Sequence, residues 1–508
     1  MLYEIGLENF KPFGAPQAIP CARLTLIYGP NSGGKSSIIQ SLMLLRQTIE
    51  DAGPMSSGLI TRGRYVDLGS FKSLVHRHNT KRRVAVELSY DRLPIRRAPL
   101  GGLPPADQSR TVRTVFEAAQ SPGSRKRDSS ALASVGYQLR GGAADLNVTL
   151  RRVKGDRAAL SATTPLWQGV GGRAFEWADA QSRRSLARWD LTMSRAAAER
   201  RRRARPQEAS TVAPELPESE VIDALDRHIV LTTGFLPTRL VPKGEAYSDE
   251  DLLLARRRIS GRLLEAMSTE YVALIRSLSY LGPLRVYPER HYVLTGGDKD
   301  SVGVRGENTP ETLYRHRGRI TNQVNEWFRR FDIPYQLSVD PIGDEVTGDI
   351  VMLRLVDERL GIQVSPSDVG FGIGQLLPIL VEGLVAESRI LCVEQPEIHL
   401  HPRLQAHLAD LLIATSKASS ASTRSGANAA NQWIVETHSE ALMLRIQRRI
   451  REGVISPDDV SIVYVEPSGE GGSVVLPLRL DSDGAFMDEW PSGFFDDAYN
   501  EMLGGPSS

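Results

Sequence analysis

The stretch Gly29-Pro30-Asn31-Ser32-Gly33-Gly34-Lys35-Ser36, followed by Ser37, has the composition of a loop that cradles phosphates. Small residues let backbone N–H groups converge on an anion, Lys35 reaches the β and γ oxygens of a nucleoside triphosphate, and the Ser36 hydroxyl is placed to ligate Mg2+. That chemistry requires a buried strand before the loop and a helix after it. The apolar run Leu24 to Tyr28 supplies the strand, and Ser37-Ile38-Ile39-Gln40-Ser41-Leu42-Met43-Leu44-Leu45 has the apolar spacing of the helix. ATP and Mg2+ are the expected ligands.

Further along, Ser388-Arg389-Ile390-Leu391-Cys392-Val393-Glu394-Gln395-Pro396-Glu397 reads as an apolar strand ending in a carboxylate. Such a strand delivers its carboxylate to a metal, which makes Glu394 the expected Mg2+ partner. A second apolar strand, Gln432 to Glu436, leads to Thr437-His438-Ser439. A histidine at such a place is commonly structural; following a buried strand, His438 is expected to contact the γ-phosphate. Between loop and acidic strand lies Ser365-Pro366-Ser367-Asp368-Val369-Gly370-Phe371-Gly372-Ile373-Gly374-Gln375-Leu376-Leu377-Pro378, with glycines just before an apolar helix, where free N–H groups point at an anion.

This order of motifs resembles the ABC-type ATPases of the RecF, SMC and OLD group: an N-terminal phosphate loop, a large insertion, a signature loop, an acidic strand and a histidine loop. The resemblance covers residues 1 to about 90 and about 275 to 508. It is closest to a bacterial subset, often of unassigned role and sometimes encoded in anti-phage loci, marked by Tyr280-Leu281-Gly282-Pro283-Leu284-Arg285, by Glu394-Gln395-Pro396-Glu397 and by the ending Trp490-Pro491-Ser492-Gly493-Phe494-Phe495-Asp496. The resemblance implies an α/β head of the ABC type, its mixed sheet having a parallel core and an antiparallel layer, with a large inserted lobe. It implies a homodimer in which two heads sandwich two nucleotides, Gly372, Gly374 and Gln375 serving the neighbouring subunit. Lys11 and Phe13 lie where the family approaches the nucleotide from its first turn. Two departures stand out. Gly374 takes the place of the signature serine, and Gln395 takes the place of a glutamate that activates water. An amide orients a water but does not take its proton near neutral pH, so hydrolysis is expected to be slow unless Glu397 reaches the water.

The net charge of +1 over 508 residues hides a division. Between Lys72 and Arg205 there are 28 Lys and Arg against 11 Asp and Glu; residues 206–508 hold 28 against 45. A basic module attached to an acidic remainder points to a polyanion, DNA first, while a solvated basic surface or a dock for an acidic protein has the same composition. An effector protein encoded nearby is the other expected partner. The run Arg200-Arg201-Arg202-Arg203-Ala204-Arg205 is the densest part of the module. Residues 91 to about 130, with Pro104-Pro105 and Ser121-Pro122-Gly123-Ser124, read as loop and linker. Helices are expected from Arg183 to Arg205, at 219–230 and at 249–279. The divisions expected are 1–90 and 276–480 for the head, 91–275 for an inserted lobe, α/β or helical, and 481–508 for a tail.

Several other features are read as structural. His399 and His401 flank Glu397 but offer no third ligand for zinc. Asp481-Ser482-Asp483-Gly484 reads as a surface turn, and the segment after Val460 is too short for a nuclease domain like that of OLD proteins. Cys21 and Cys392 sit in apolar sequence as buried thiols. With no apolar run of bilayer length and no export signal at Met1 to Ile5, no membrane partner is expected and the cytoplasm is the expected location.

Overall fold

A computed structural model describes residues 1–51, 58–91, 108–119, 129–141, 145–153, 174–204, 217–226, 228–232, 236–242, 259–294, 296, 301–343, 349–417, 430–469 and 471–491. The chain divides into two compact units, one formed by Met1–Ala18 with Gln40–Arg276 and the other by Ile19–Ile39 with Ser277–Ser508.

The second unit is built on a six-stranded sheet among the described residues. Its strands are β3 (Leu24–Tyr28), β11 (Leu278–Leu281), β16 (Ile390–Glu394), β17 (Gln432–Glu436), β18 (Val460–Ser468) and β19 (Gly472–Leu478), in the order β11-β16-β17-β3-β18-β19. Every pairing from β11 through β18 is parallel, and β19 closes the edge antiparallel to β18. All residues of β3, β16 and β17 are buried. That explains their unbroken apolar sequences, since parallel strands are covered on both faces. The helices Phe371–Val385, Pro402–Ser416 and Glu440–Arg451 contribute Leu376, Leu380, Leu408, Leu412, Leu442 and Ile446 to the same core. A smaller sheet in this unit contains β12 (Tyr292–Val293), β13 (Tyr335–Pro341), β14 (Ile350–Asp357) and β15 (Gln363–Val364).

Among the described residues, the first unit carries a nine-stranded sheet in the order β10-β9-β8-β7-β6-β5-β4-β1-β2. It comprises β1 (Leu2–Glu8), β2 (Gln17–Pro20), β4 (Val84–Tyr90), β5 (Ser109–Ala118), β6 (Ser130–Arg140), β7 (Leu146–Arg152), β8 (Ala174–Trp177), β9 (His228–Thr232) and β10 (Pro237–Pro242). The expectation of loop and linker from 91 to about 130 is corrected by β5. Proline and glycine dominate the composition around it, but Arg110-Thr111-Val112-Arg113-Thr114-Val115-Phe116 alternates buried and half-buried as a strand does. Because β5 pairs with β4, and β4 with β1, residues 1–18 and 40–90 fold with the inserted lobe instead of ending at residue 90. The lobe is therefore chiefly antiparallel sheet, flanked by the helices Ala180–Ala204, Glu218–Asp226 and Ile259–Ser277. The helix expected at 219–230 stops at Asp226, where the β-branched run Ile229-Val230 begins a strand. Arg110 and Glu270, both fully buried, pair at 2.7 Å inside this unit.

The backbone of Arg200 to Arg203 closes the helix Ala180–Ala204. Arg205, Pro104-Pro105, Ser121 to Ser124, residues 249–258 and the ending from Ser492 onward lie outside the described residues.

Candidate functional site

The strand β3 runs into the glycine-rich loop, and the helix Lys35–Asp51 starts at its far end. Gly29 has φ +141° and Gly34 φ +105°, conformations closed to side chains. A Cβ on Gly29 would lie 2.1 Å from the carbonyl oxygen of Val465 in β18, so the tight turn is fixed by its neighbour as well as by its own sequence. Gly33 is similarly crowded by Val465 and Pro30. Asn31 and Ser32 are exposed, and Ser37 is buried in the first helical turn. Lys35 is buried and donates to the carbonyls of Gly29 at 2.9 Å and Pro30 at 2.8 Å. Burial lowers its ammonium below the ordinary lysine value, against the pull of Glu436 and Glu397.

The carboxylates come from the neighbouring strands. Glu394 and Glu436 end β16 and β17 in register with each other, and Glu436 is in register with Ile27 of β3. Ser36 Oγ donates to Glu436 Oε1 at 3.0 Å. Burial raises the Glu436 carboxyl above the usual range, opposed by the Ser36 hydrogen bond and Lys35. Glu394 is buried and accepts from the Tyr280 hydroxyl of β11 at 3.0 Å.

The turn after β16 is held from several sides. Gln395 is a non-glycine residue at φ +44°, a left-handed conformation costing about 1–2 kcal/mol. Its N–H donates to Glu436 O at 2.7 Å. Arg285 donates to Glu394 O at 2.9 Å and Gln395 O at 3.1 Å. Glu397 accepts from the Thr437 hydroxyl and from the His438 N–H, each at 2.7 Å. Both Glu397 oxygens thus have protein donors, and burial raises its carboxyl. Half-buried His438 sits beside this latch, its imidazole lowered by burial and by Lys35.

In the signature segment, Ser365 and Asp368 form a reciprocal cap on the turn Pro366–Asp368, and Gly370 caps the helix Phe371–Val385. Gly374 is buried against Pro288, where a Cβ would meet the proline ring at 2.7 Å. This packing accounts for glycine where a serine is usual. A Cβ on Gly372 would come within 3.1 Å of His399 O, and the Gln375 side chain is buried. His401 accepts from Arg403 N as the cap of the helix Pro402–Ser416, and Asp481 accepts from Asp483 N and Ala485 N in the turn at Gly484. In the other unit, Lys11 donates to Gln40 at 2.6 Å, and Phe13 is fully buried.

The donor set fits a magnesium nucleotide. The leading N–H groups of a helix have no partner within it and face an anion. Ser36, Glu436 and Glu394 offer the hard oxygen that Mg2+ takes, and Glu436 Oε2 is buried without a hydrogen-bond partner among the described residues. Sequence reasoning assigned no role to Glu436, Thr437, Tyr280 or Arg285. The last two lie in a motif used only to mark a subset, whereas a carboxylate at the end of an apolar strand was a readable signal for Glu436. Trp490 also acquires a place: its ring meets Tyr28 edge-on at 5.7 Å, Tyr464 at 5.9 Å and Phe486 at 4.8 Å.

Fold and site together give an α/β fold like that of ABC-type ATPase heads, carrying an inserted lobe. Residues 314–443 match the family model described as an AAA ATPase domain, and residues 455–503 match a family described as a protein of unknown function, DUF3696. No curated protein matches the chain. Among solved structures, it is similar to an SMC head bound to the C-winged helix domain of ScpA, with 12% identity over 95% of this chain and 98% of that one and a TM-score of 0.39. The SMC head domain from Thermotoga maritima gives 11% identity over 94% and 99%, with a TM-score of 0.35. An SMC head derived from Pyrococcus furiosus gives 13% identity over 99% of both chains, with a TM-score of 0.37. Among the described residues, no helix is long and apolar enough to cross a membrane.

Proposed function

We propose that this protein binds ATP with Mg2+, hydrolyses it slowly, and uses the bound triphosphate to join two copies of the chain. The observation that carries the reading is the convergence of Lys35 and Ser36, at the start of a helix, with carboxylates ending β17, which neighbours β3, and β16, the strand beyond it. Lys35, Ser36 and the backbone of residues 29–37 hold the phosphates and metal. Mg2+, when bound, neutralises phosphate charge. Gln395 positions a water without accepting its proton, and Glu397, latched to Thr437 and His438, keeps His438 facing the γ-phosphate. The absence of a strong general base, a contribution typically worth about 100- to 10,000-fold, favours a long-lived ATP-bound state. Gly372, Gly374 and Gln375 belong to the segment that would serve the neighbouring copy, through backbone groups where side chains are buried.

In this reading the dimer is a sensor or scaffold of a larger assembly with an effector protein, and its basic module engages DNA. The assembly's place in anti-phage defence rests on the resemblance of its motifs. Sizing the protein with and without ATP and Mg2+ tests the central claim: a mass that doubles with ATP and stays single with Lys35→Ala supports it, and an unchanged mass refutes it. DNA binding that weakens steeply with salt supports the DNA part. Absent or salt-insensitive binding transfers the basic module to an acidic protein partner.

A further inference from the structure

The family pattern gives the metal's carboxylate to the acidic strand, which here means Glu394. We propose instead that the carboxylate meeting Mg2+ beside Ser36 is Glu436, one strand nearer the loop. The inference rests on the reading that this site binds a magnesium nucleotide.

Four observations converge on it. First, β17 lies between β16 and β3, so Glu436 is one strand from the loop's own strand and Glu394 is two. Second, Ser36 Oγ already donates to Glu436 Oε1 at 3.0 Å, which brings the hydroxyl expected on the metal to this carboxylate. Third, Glu436 Oε2 is buried without a hydrogen-bond partner among the described residues. A buried acceptor left unmatched is costly, more so when charged, and a cation at this oxygen removes the deficit. Fourth, Glu394 Oε1 is bonded to Tyr280 on β11, the strand on the other side of β16 from β17. Glu394 thereby becomes a positioning residue that, with Arg285 on its carbonyl, braces the turn at Gln395.

The test measures metal binding directly. The full chain, saturated with ADP, is titrated with Mn2+ and free Mn2+ is read by electron paramagnetic resonance; ADP binding is measured separately in EDTA. Glu436→Gln is expected to weaken Mn2+ binding at least about 10-fold, the range seen when a metal site loses a supporting group, with ADP affinity in EDTA unchanged. Glu394→Gln is expected to weaken Mn2+ binding less than Glu436→Gln does. Equal losses, or a larger loss in Glu394→Gln, overturn the assignment. Should Glu436→Gln melt early, Glu436→Asp keeps the charge on a shorter arm and is expected to show the same selective loss of Mn2+; Mn2+ binding retained there overturns it. A parent protein that binds neither ADP nor ATP refutes the nucleotide reading itself, an outcome distinct from any difference between variants.

Discussion

Replacing Arg285 by methionine tests whether a buried cation holds the turn after the acidic strand. Arg285 is 4% exposed and gives hydrogen bonds to the carbonyls of Glu394 and Gln395. Two bonds from a charged donor are worth about 3–6 kcal/mol together. Against this, burial pushes the guanidinium down to about 10, a desolvation cost of roughly 3 kcal/mol that the methionine variant recovers. The balance is a loss of up to about 3 kcal/mol, or up to roughly 8 °C in melting temperature for a domain of this size. Without its brace, Gln395 is free to leave φ +44°, relieving about 1–2 kcal/mol of strain. Its amide then no longer stays where the proposed function needs it. Arg285→Lys keeps the charge but lacks the planar fork that reaches two carbonyls, so it should recover only part of the loss. Scanning calorimetry with and without ATP and Mg2+ reads both effects. An Arg285→Met protein that melts within roughly 1 °C of the parent, with the same ATP-induced shift, refutes the reasoning.

The remaining predictions concern single positions. Gly29→Ala forces a Cβ to 2.1 Å from Val465 O at a φ reserved for glycine, so nucleotide binding by calorimetry should be abolished and stability should fall by more than about 2 kcal/mol. Trp490→Ala removes edge contacts to Tyr28, Tyr464 and Phe486, and denaturant unfolding should show a loss of about 2–3 kcal/mol, less than for a fully buried tryptophan. Burial and Arg445 lower the His407 imidazole, so its contribution is present above the unfolded value near pH 6.5 and is lost as pH falls through the lower folded value; His407→Phe should flatten the decline in melting temperature between about pH 7 and pH 5. Gln395→Glu supplies the missing base and should raise ATP turnover by about 100-fold or more, as read by phosphate release; an unchanged rate would remove Gln395 from the water's path.

Local features were the legible ones. The phosphate loop could be read because its requirements, glycine at positive φ and a lysine opening a helix, are met within a few residues. The parallel core was legible because strands buried on both faces are apolar throughout, as β3, β16 and β17 are. What could not be read depends on partners distant in the chain. Ser36 and Glu436 are 400 positions apart, Tyr280 and Glu394 are 114 apart, and nothing local in either pair announces the other. β5 was missed for another reason: the proline- and glycine-rich composition around it outweighed a short alternating run. The division at residue 90 falls between β4 and β5, two paired strands of one sheet.

The charges around the loop show why both ends of this unit are needed. Glu394, Glu397 and Glu436 stand close together, and Lys35 and Arg285 are the cations acting on them in their surroundings. Burial raises Glu397 and Glu436, and the charge of Glu397 raises Glu436 further. A cluster with more carboxylates than cations resists full ionisation until further positive charge arrives. Lys35 comes from the segment after β3, Arg285 from the segment after β11, and the carboxylates from the ends of β16 and β17. No one of these segments contains a balanced site. Balance requires the sheet to bring them together and, in the proposed function, a divalent cation to enter with the nucleotide, so that metal and triphosphate should each strengthen the binding of the other.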